Sequence, residues 1–513
     1  MRVLAGFALC LCVAGVPGLA AAGEALVVKL SIDLAGGAVT GSAGAETAIK
    51  VRRPPLDGAE DPLSGYIGPD SALLPPDAGW LPPLPAGHDR WRLVVTTPPG
   101  SMAVPYPDGV VAALPGGGAE TTFELRPEIA RAPLIVGPYQ MTERVLNGVA
   151  IRTFFTGANA GLADAYIEAA GAAVAALGER IGAYPYKAFA VVETPLPVGL
   201  GFPGFTLASG RILPQPFMRG RSLWHEIAHV WWGNGVFVDY RNGNWAEGFA
   251  TYFADYALAE AEGPEAARAM RYDWLLEYDA LPQSRRTPLR AFVTKRHGQA
   301  QAVGYGKAAM LLAMLRDRIG APAFNVGIRR FWTDNRFTSA GWPAIEAAFS
   351  AAAGQDLSAF FAHWLDRPDA LPASPDDPDF RTFRQLQPDE RIQTLRLALQ
   401  ADSLTPQIIG ESVIEPQALA DALGPLGAIG PAGMPVLIGA RAEFFKRGIA
   451  VPPDAGAAIW VAAGQDGRDI LAVAASDAAT VQALASRARH YGRWSWLALE
   501  ADGRPMRGRW PSP

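Results

Sequence analysis

A pair of histidines four residues apart places the strongest single constraint on how this chain folds. His225 and His229 flank Glu226 in the pattern H-E-x-x-H. On a helix, side chains four residues apart lie one above the other, about 5–6 Å between Cβ atoms, so both imidazoles can face one point. Zinc accepts neutral imidazole nitrogens at about 2.0–2.1 Å. The spacing therefore predicts a helix that carries two ligands of one metal ion.

A third ligand has to come from another element, and Glu247 is the candidate. It lies eighteen positions after His229. Two histidines and one glutamate leave the fourth tetrahedral position of zinc open to water, as a catalytic site requires. Glu226 lies about 100° around the helix from the first ligand and can reach a water at that position. We therefore predict one zinc ion per chain, with Glu226 beside it.

The same residues allow simpler interpretations. A polar patch on a helix can contain two histidines and a glutamate, although the chain has only six histidines. A chance match to the pattern is then on the order of a few in a thousand. Asn244, followed three residues later by Glu247, also fits a capping box at the start of a helix. The capping box remains the alternative for Glu247.

The residues around these ligands carry a family resemblance. The segment that begins at His225 reads H-E-I-A-H-V-W-W-G-N, and the segment that begins at Trp245 reads W-A-E-G-F-A-T-Y. Both resemble the aminopeptidase N-like gluzincin family, which has H-E-x-x-H, an aromatic pair before Gly-Asn, and W-x-x-E-G-F-A. The resemblance implies that His225, His229 and Glu247 bind zinc and that Glu226 is the general base. The family has eighteen residues between the second histidine and the glutamate, and this chain has seventeen.

A second segment departs from the family at a position that matters for specificity. The run from Gly199 reads G-L-G-F-P-G, where family aminopeptidases carry Gly-Ala-Met-Glu-Asn or Gly-Gly-Met-Glu-Tyr-Pro-Gly. The family's Glu, which binds the α-amino group of the substrate, falls on Gly201. A buried ammonium without a carboxylate is costly, so aminopeptidase selectivity is open. We expect Gly199, Gly201 and Phe202 to contact substrate; Glu193 is a candidate replacement, and a glycine-rich turn is the structural alternative.

Tyr305 is the remaining candidate catalytic residue. It lies 79 positions after Glu226 in G-Y-G-K-A-A. This run resembles the family's Tyr-x-Lys-Gly-Ala segment, whose tyrosine donates a hydrogen bond to the tetrahedral oxyanion. The resemblance implies that role for Tyr305, and a tyrosine packed on the core at a helix start is the alternative.

The chain as a whole is typical of a multidomain α+β protein. Strand-like apolar runs precede residue 150, helical periodicity dominates the middle, and strands and a helix mix near the end. The resemblance implies a thermolysin-like, mostly α catalytic domain between a β-rich N-terminal domain and a small α/β C-terminal domain. The predicted segments are a signal peptide at 1–22, the β-rich domain at 23–150, the catalytic domain at 151–370, a linker at 371–400 and the C-terminal domain at 401–513.

The composition of residues 1–22 is typical of a signal peptide and predicts export. Arg2 precedes a largely apolar stretch, and Ala20 to Ala22 fit a small-residue cleavage site. Both cysteines lie inside this segment, so the mature chain would have no disulfide. We expect a periplasmic or secreted protein, with an uncleaved anchor as the alternative. We expect no later run to be long and apolar enough to span a membrane.

These features together predict an exported, aminopeptidase-like zinc metallopeptidase that acts on peptides or proteins. The absent glutamate at Gly201 leaves endopeptidase activity as one alternative. A zinc-stabilised, non-catalytic periplasmic binding or scaffold protein is the other. The net charge of −5 gives no indication of nucleic-acid binding, and the oligomeric state is left open.

Overall fold

The computed structural model divides the chain ten residues earlier than the sequence suggests. It describes residues 23–44, 47–59, 61–107, 109–127, 129, 133–293, 301–368, 393–410, 415–452, 457–464, 466–500 and 502–509. The predicted signal segment lies outside these residues. Two compact units meet between Gln140 and Met141. The expected boundary at 150 therefore moves, because the strands on either side of residue 147 pair within the second unit.

The first unit is β-rich, as predicted. Alternating residues of its first strand are buried, among them Val28 and Leu30, because one face of the strand packs on the core. The strands are β1 (Glu24–Asp33), β2 (Ala38–Ala43), β3 (Thr47–Arg52), β4 (Tyr66–Ile67), β5 (Ala72–Leu74), β6 (His88–Thr97), β7 (Met102–Ala103), β8 (Val110–Ala113), β9 (Ala119–Leu125) and β10 (Leu134–Gly137). They form a sheet of order β3-β2-β1-β6-β9-β8 and a sheet of order β4-β5-β10-β7.

The second unit begins with a mixed sheet that supplies one side of the candidate site. Its strands are β11 (Gln140–Leu146), β12 (Val149–Phe155), β13 (Ala188–Thr194), β14 (Gly199–Phe202) and β15 (Phe205–Ser209), in the order β11-β12-β13-β15-β14. Strands β12, β13 and β15 are parallel, and β14 runs antiparallel to β15 at the edge. The edge position places the predicted substrate-binding segment on an exposed row of backbone groups.

Helices make up most of the remainder of residues 156–368. They are α1 (Ala163–Ile181), α2 (Leu223–Ala228), α3 (Ala246–Ala250), α4 (Ala257–Glu262), α5 (Pro264–Asp279), α6 (Ala308–Ile319), α7 (Ala321–Asn335), α8 (Trp342–Ala353) and α9 (Ser358–Asp366). A two-stranded parallel pair, β16 (Phe237–Val238) and β17 (Ser339–Ala340), links the metal-site segment to α7 and α8. This helical region and the β-rich first unit confirm the predicted fold class.

One helical run of the second unit has the length and apolar composition of a membrane span. Residues Ala160–Ile181 are long and apolar enough to cross a membrane by length and composition alone. The expectation that no such run follows residue 22 is therefore wrong on that criterion. One face of this run, including Tyr166, Ile167 and Val174, is buried in the core of the second unit.

A cluster of buried aromatic rings holds the two metal-site helices together. Trp232 follows the second histidine and Trp245 precedes the glutamate, and their rings lie 6.0 Å apart. Phe331 of α7 packs against both, with ring centroids 5.9 Å from Trp232 and 5.2 Å from Trp245. All three side chains are fully buried. The aromatic cluster therefore fixes the distance between the elements that carry the candidate ligands.

The C-terminal region is an α/β domain around a six-stranded sheet. Its strands are β18 (Leu404–Ile408), β19 (Met434–Gly439), β20 (Ala457–Ala463), β21 (Asp469–Ala474), β22 (Trp496–Leu499) and β23 (Pro505–Gly508), in the order β18-β19-β21-β20-β22-β23. Its helices are α10 (Arg396–Leu399), α11 (Pro416–Leu423), α12 (Arg441–Lys446) and α13 (Ala478–Ala488). Helix α10 lies inside the predicted linker, yet Leu395 and Ala398 pack in the core of this domain. Residues 371–392 of that linker lie outside the described residues.

Removing one ring of the aromatic cluster tests its contribution to stability. Phe331→Ala leaves a cavity between two buried tryptophans and is expected to lower the free energy of unfolding by about 3–5 kcal/mol. Val326→Ala, on the exposed side of the same helix, is expected to change it by less than about 0.5 kcal/mol. Urea unfolding of both variants measures the difference, and equal effects would contradict the assigned role of the cluster.

Candidate metal centre

The H-E-x-x-H segment folds as predicted, into one short helix with both imidazoles on one face. Helix α2 carries His225 and ends at Ala228, so that His229 forms its C-cap. The two imidazole rings lie 4.9 Å apart, at 78° to each other. Beyond His229 the chain turns at Gly233, whose φ of 110° favours glycine. Asn234 then donates a side-chain hydrogen bond to the carbonyl of His229, which satisfies the helix end.

Glu247 reaches both histidines despite the shortened spacer. A turn at Tyr240–Asn242, closed by Gly243 with φ 90°, leads into α3. Asn244 accepts a hydrogen bond from the backbone N–H of Ala246 and so helps to start the helix. Glu247 does not complete a capping box, because the N–H of Asn244 donates to the carbonyl of Phe292. Its carboxylate points to the imidazoles instead.

The distances between the three side chains fit a tetrahedral metal ion. Oε2 of Glu247 lies 3.5 Å from Nε2 of His225 and 3.3 Å from Nε2 of His229. Two ligand atoms about 2.0–2.1 Å from a tetrahedral zinc ion lie about 3.3–3.4 Å apart. The three ligand atoms all lie within 4.8 Å of one another. Oε2 of Glu247 is buried, and no described residue donates a hydrogen bond to it. The donor set therefore fits zinc.

Hydrogen bonds on the far side of each ring fix the imidazole tautomers. Nδ1 of His225 lies 2.7 Å from a carboxylate oxygen of Asp255, and Nδ1 of His229 lies 3.0 Å from the carbonyl of Trp232. Both oxygens accept, so each Nδ1 carries the proton and each Nε2 presents its lone pair to the ligand cluster. Asp255 and the carbonyl of Trp232 thus orient the ligands.

Asp255 was not predicted from the sequence, although the sequence contains a signal for it. It is the only acidic residue between Glu247 and Glu260, in a run of apolar and aromatic residues. A regular α-helix would place it about 80° around the axis from Glu247. The π-helical stretch Thr251–Tyr256 widens this turn and brings both carboxylates to the same imidazole. Such widened turns are frequent at functional sites.

The charges of the ligand side chains shift one another's pKa values strongly. Burial lowers the pKa of His225, but contacts with Asp255 and Glu247 outweigh it and raise the pKa to about 10. Burial also opposes ionisation of Glu247, but the two imidazoles hold its pKa well below the usual range. A proton therefore competes with a metal for the imidazoles, and metal binding has to release it.

Tyr305 lies at the same centre, on another π-helical turn, Ala302–Lys307. Its ring stacks on His225, with centroids 5.9 Å apart and planes at 6°. Burial raises the pKa of the Tyr305 hydroxyl, and the neighbouring carboxylates of Glu247 and Glu226 raise it further. The hydroxyl therefore stays protonated at neutral pH and is able to donate a hydrogen bond.

The edge strand β14 passes directly beside Glu226. A Cβ atom built on Gly201 would lie 3.2 Å from Oε2 of Glu226 and 3.3 Å from Cβ of His229, which is tighter than ordinary contact. At Gly199 the corresponding distance to Oε1 of Glu226 is 3.7 Å. Glycine at 201 thus lets the strand approach the candidate general base, and this explains the absence of a longer side chain there.

Two predicted residues do not reach the site. Phe202 stacks on Phe205 with centroids 4.9 Å apart and does not line the cavity around the ligands. The carboxylate of Glu193 accepts hydrogen bonds from Thr156 and Asn159. Glu193 is therefore engaged within the sheet region and does not replace the missing glutamate.

The ligands open into a cavity of about 770 Å³. Gly199 and Gly201 line it beside Glu226, as expected for two of the three predicted substrate contacts. A further wall of this cavity, not predicted from the sequence, comes from helix α5 and includes Asp273 and Glu277. No motif marks these residues, because their position depends on how α5 packs.

Comparison with known proteins agrees with this geometry. Residues 221–364 match the model of the peptidase family M1 domain. The probable aminopeptidase 1 of Saccharolobus solfataricus is 30% identical over 165 residues, which make up 30% of this chain and 21% of that protein. The matched part thus spans about a fifth of the length of this relative.

Solved structures of one enzyme share the fold. The M1 zinc metallopeptidase from Deinococcus radiodurans is 20% identical, with a TM-score of 0.52 over 68% of this chain and 95% of that chain. A variant of it bound to a Tyr-Ser-Ala substrate is 19% identical, with a TM-score of 0.52 over 69% of this chain and 96% of that chain. On the family match, residues 221–364 form a peptidase family M1 domain, and the fold of the chain is similar to that of the M1 zinc metallopeptidase from Deinococcus radiodurans.

Proposed function

We propose that this protein is a zinc-dependent metallopeptidase that hydrolyses peptide bonds. The observation that carries the proposal is the convergence of His225, His229 and Glu247 at tetrahedral zinc spacing beside Glu226 and Tyr305. Both of the latter face a cavity large enough for a peptide segment. Export through residues 1–22 is a further proposal from composition alone, which the mass of the mature chain tests.

Each residue of the centre has a distinct task in this reaction. Zinc, when bound, supplies Lewis-acid polarisation and lowers the pKa of water toward neutrality. The Glu226 carboxylate accepts a proton from the attacking water and returns it to the leaving amine. The Tyr305 hydroxyl donates a hydrogen bond to the oxygen that gains negative charge, a contribution of about 3 kcal/mol for one well-placed donor. Asp255 keeps His225 in the tautomer that binds metal.

A second candidate activity is that of an endopeptidase, which cleaves peptide bonds away from the amino terminus of its substrate. Family aminopeptidases place a glutamate where this chain has Gly201, and the approach of β14 to Glu226 leaves no room for that side chain without a shift. Glu193 is engaged elsewhere. The relative in Saccharolobus solfataricus is named an aminopeptidase, which favours the first activity, whereas the absent carboxylate favours an endopeptidase.

Substitution of the proposed general base separates catalysis from metal binding. Glu226→Gln removes the proton acceptor but none of the three ligands, so turnover is expected to fall by about 10²–10⁴-fold with the zinc content unchanged. Glu262→Gln, on the exposed end of α4, serves as the matched control. Near-normal peptide cleavage by Glu226→Gln would contradict the mechanism, and an inactive zinc-loaded wild type would favour the scaffold interpretation.

Loss of the carboxylate behind His225 is expected to weaken metal binding. Asp255→Asn keeps the shape of the side chain but removes the charge that orients the ring, and zinc affinity is expected to fall by about 10–100-fold. Competition with a fluorescent chelator measures the affinity, again with Glu262→Gln as the control. An unchanged affinity would show that Asp255 does not hold the ligand in place.

Paired peptides distinguish the two candidate activities. A free amino terminus needs a carboxylate partner in a buried site. Because this chain has Gly201 in place of that carboxylate, an endopeptidase is expected to cleave an N-acetylated peptide at least as well as its unblocked form. The ratio of kcat/KM for the two peptides, with cleavage products identified by mass spectrometry, is the measurement. Strict preference for the unblocked peptide, with release of single amino acids, would establish the aminopeptidase instead.

A further inference from the structure

Helix α5 forms one wall of the catalytic cavity with a single face. Met270, Asp273, Trp274 and Glu277 line the cavity, and their spacing of three, one and three residues places them along one side of the helix. Two of these four side chains are carboxylates, one turn apart. The sequence gives them no motif, and the proposed reaction assigns them no step.

Both carboxylates are held by arginines of the C-terminal domain. Arg396 forms an ion pair with Glu277 and lies 3.5 Å from the backbone carbonyl of Asp273. Arg509 lies 3.3 Å from a carboxylate oxygen of Asp273. Asp273 and Glu277 therefore both line the cavity and contact the C-terminal domain.

The Arg396–Glu277 ion pair is less exposed to solvent than the Arg509–Asp273 pair. The two side chains are 14% and 22% exposed, compared with 35% and 26% for Arg509 and Asp273. Burial raises the pKa of Glu277, and the charge of Arg396 opposes this effect. Removal of one partner from a shielded pair leaves the other charge desolvated and unpaired, which displaces it toward water.

Arg396 is itself anchored firmly in the C-terminal domain. The N–H groups of Leu395 and Arg396 donate to the carbonyls of Trp494 and Gly492. Leu395 is buried in the core of that domain with Ala398. A displacement of the C-terminal sheet would thus be transmitted through Arg396 to the cavity wall.

We propose that the C-terminal α/β domain positions the substrate-binding wall of the catalytic cavity, with Arg396 as the positioning residue that acts through Glu277. The inference rests on the proposed peptidase function. Arg396 does not touch the reacting atoms and takes no part in proton transfer. Its contribution lies in substrate binding, because α5 faces the cavity whereas Glu226 and Tyr305 are carried by other elements.

Kinetics of Arg396→Met against a matched control test this assignment. Arg285→Met is the control, because Arg285 pairs with Asp402 of the same domain but does not line the cavity. Arg396→Met is expected to raise KM about tenfold, the scale of one lost hydrogen bond to a charged group. Its kcat is expected to stay within about twofold, because the proton-transfer geometry is unchanged. Arg396→Lys, which keeps the cation, is expected to restore part of the lost affinity.

Binding measurements separate failure of this inference from failure of the proposed function. The substrate peptide of the wild type is titrated calorimetrically into zinc-loaded Glu226→Gln protein with and without Arg396→Met. If the wild type cleaves peptide but Arg396→Met and Arg285→Met have equal KM values, the positioning role is overturned while the peptidase stands. If the wild type cleaves nothing and binds no peptide, the proposed function fails first. Should Arg396→Met not fold, Arg509→Met addresses the same wall, and an unchanged KM there would equally overturn the inference.

Discussion

The structure depends on bringing three metal-binding atoms from two separate helices to within 4.8 Å of one another. Such a cluster of buried polar atoms is unfavourable unless a cation occupies its centre or each atom finds another partner. Oε2 of Glu247 has no hydrogen-bond donor among the described residues. The aromatic cluster of Trp232, Trp245 and Phe331 holds the two helices at the required separation. The packing of these rings therefore stabilises a polar site whose donor atoms fit a zinc ion.

The parts of the site that sequence predicts are those encoded by short spacing. His225 and His229 are one helical turn apart, so their convergence follows from helix geometry alone. Glu247 was placed by its distance from the H-E-x-x-H motif, and the structure brings it to 3.3–3.5 Å from the imidazole nitrogens. Strand and helix periodicity likewise predicted the β-rich first unit and the mixture of strands and helix near the end of the chain.

Features that depend on long-range packing were not predictable in this way. Asp255 reaches His225 only because a π-helical turn changes the helical phase. The domain boundary moved because β11 and β12 join a sheet whose next strand, β13, begins more than thirty residues later. Phe202 was expected at the substrate but stacks on Phe205, its cross-strand partner in the antiparallel β14–β15 pair. The pairing of Arg396 with Glu277 joins residues 119 positions apart and leaves no local pattern.

The proposed function assigns chemistry and substrate selection to different parts of this chain. The ligands, Glu226 and Tyr305 lie on elements of the M1 domain match. The cavity around them is shaped by an edge strand in which glycine permits close approach to Glu226, and by α5, which the C-terminal domain holds. Divergence in these two walls can alter specificity while the metal centre is retained.

Zinc K-edge X-ray absorption of the purified protein, with metal content determined on the same sample, tests the central claim most directly. The account predicts one zinc ion per chain, four-coordinate, with nitrogen and oxygen ligands at about 2.0–2.2 Å and the scattering pattern of two imidazoles. A protein that binds no zinc after metal loading, or a zinc ion whose spectrum shows no imidazole, would contradict it.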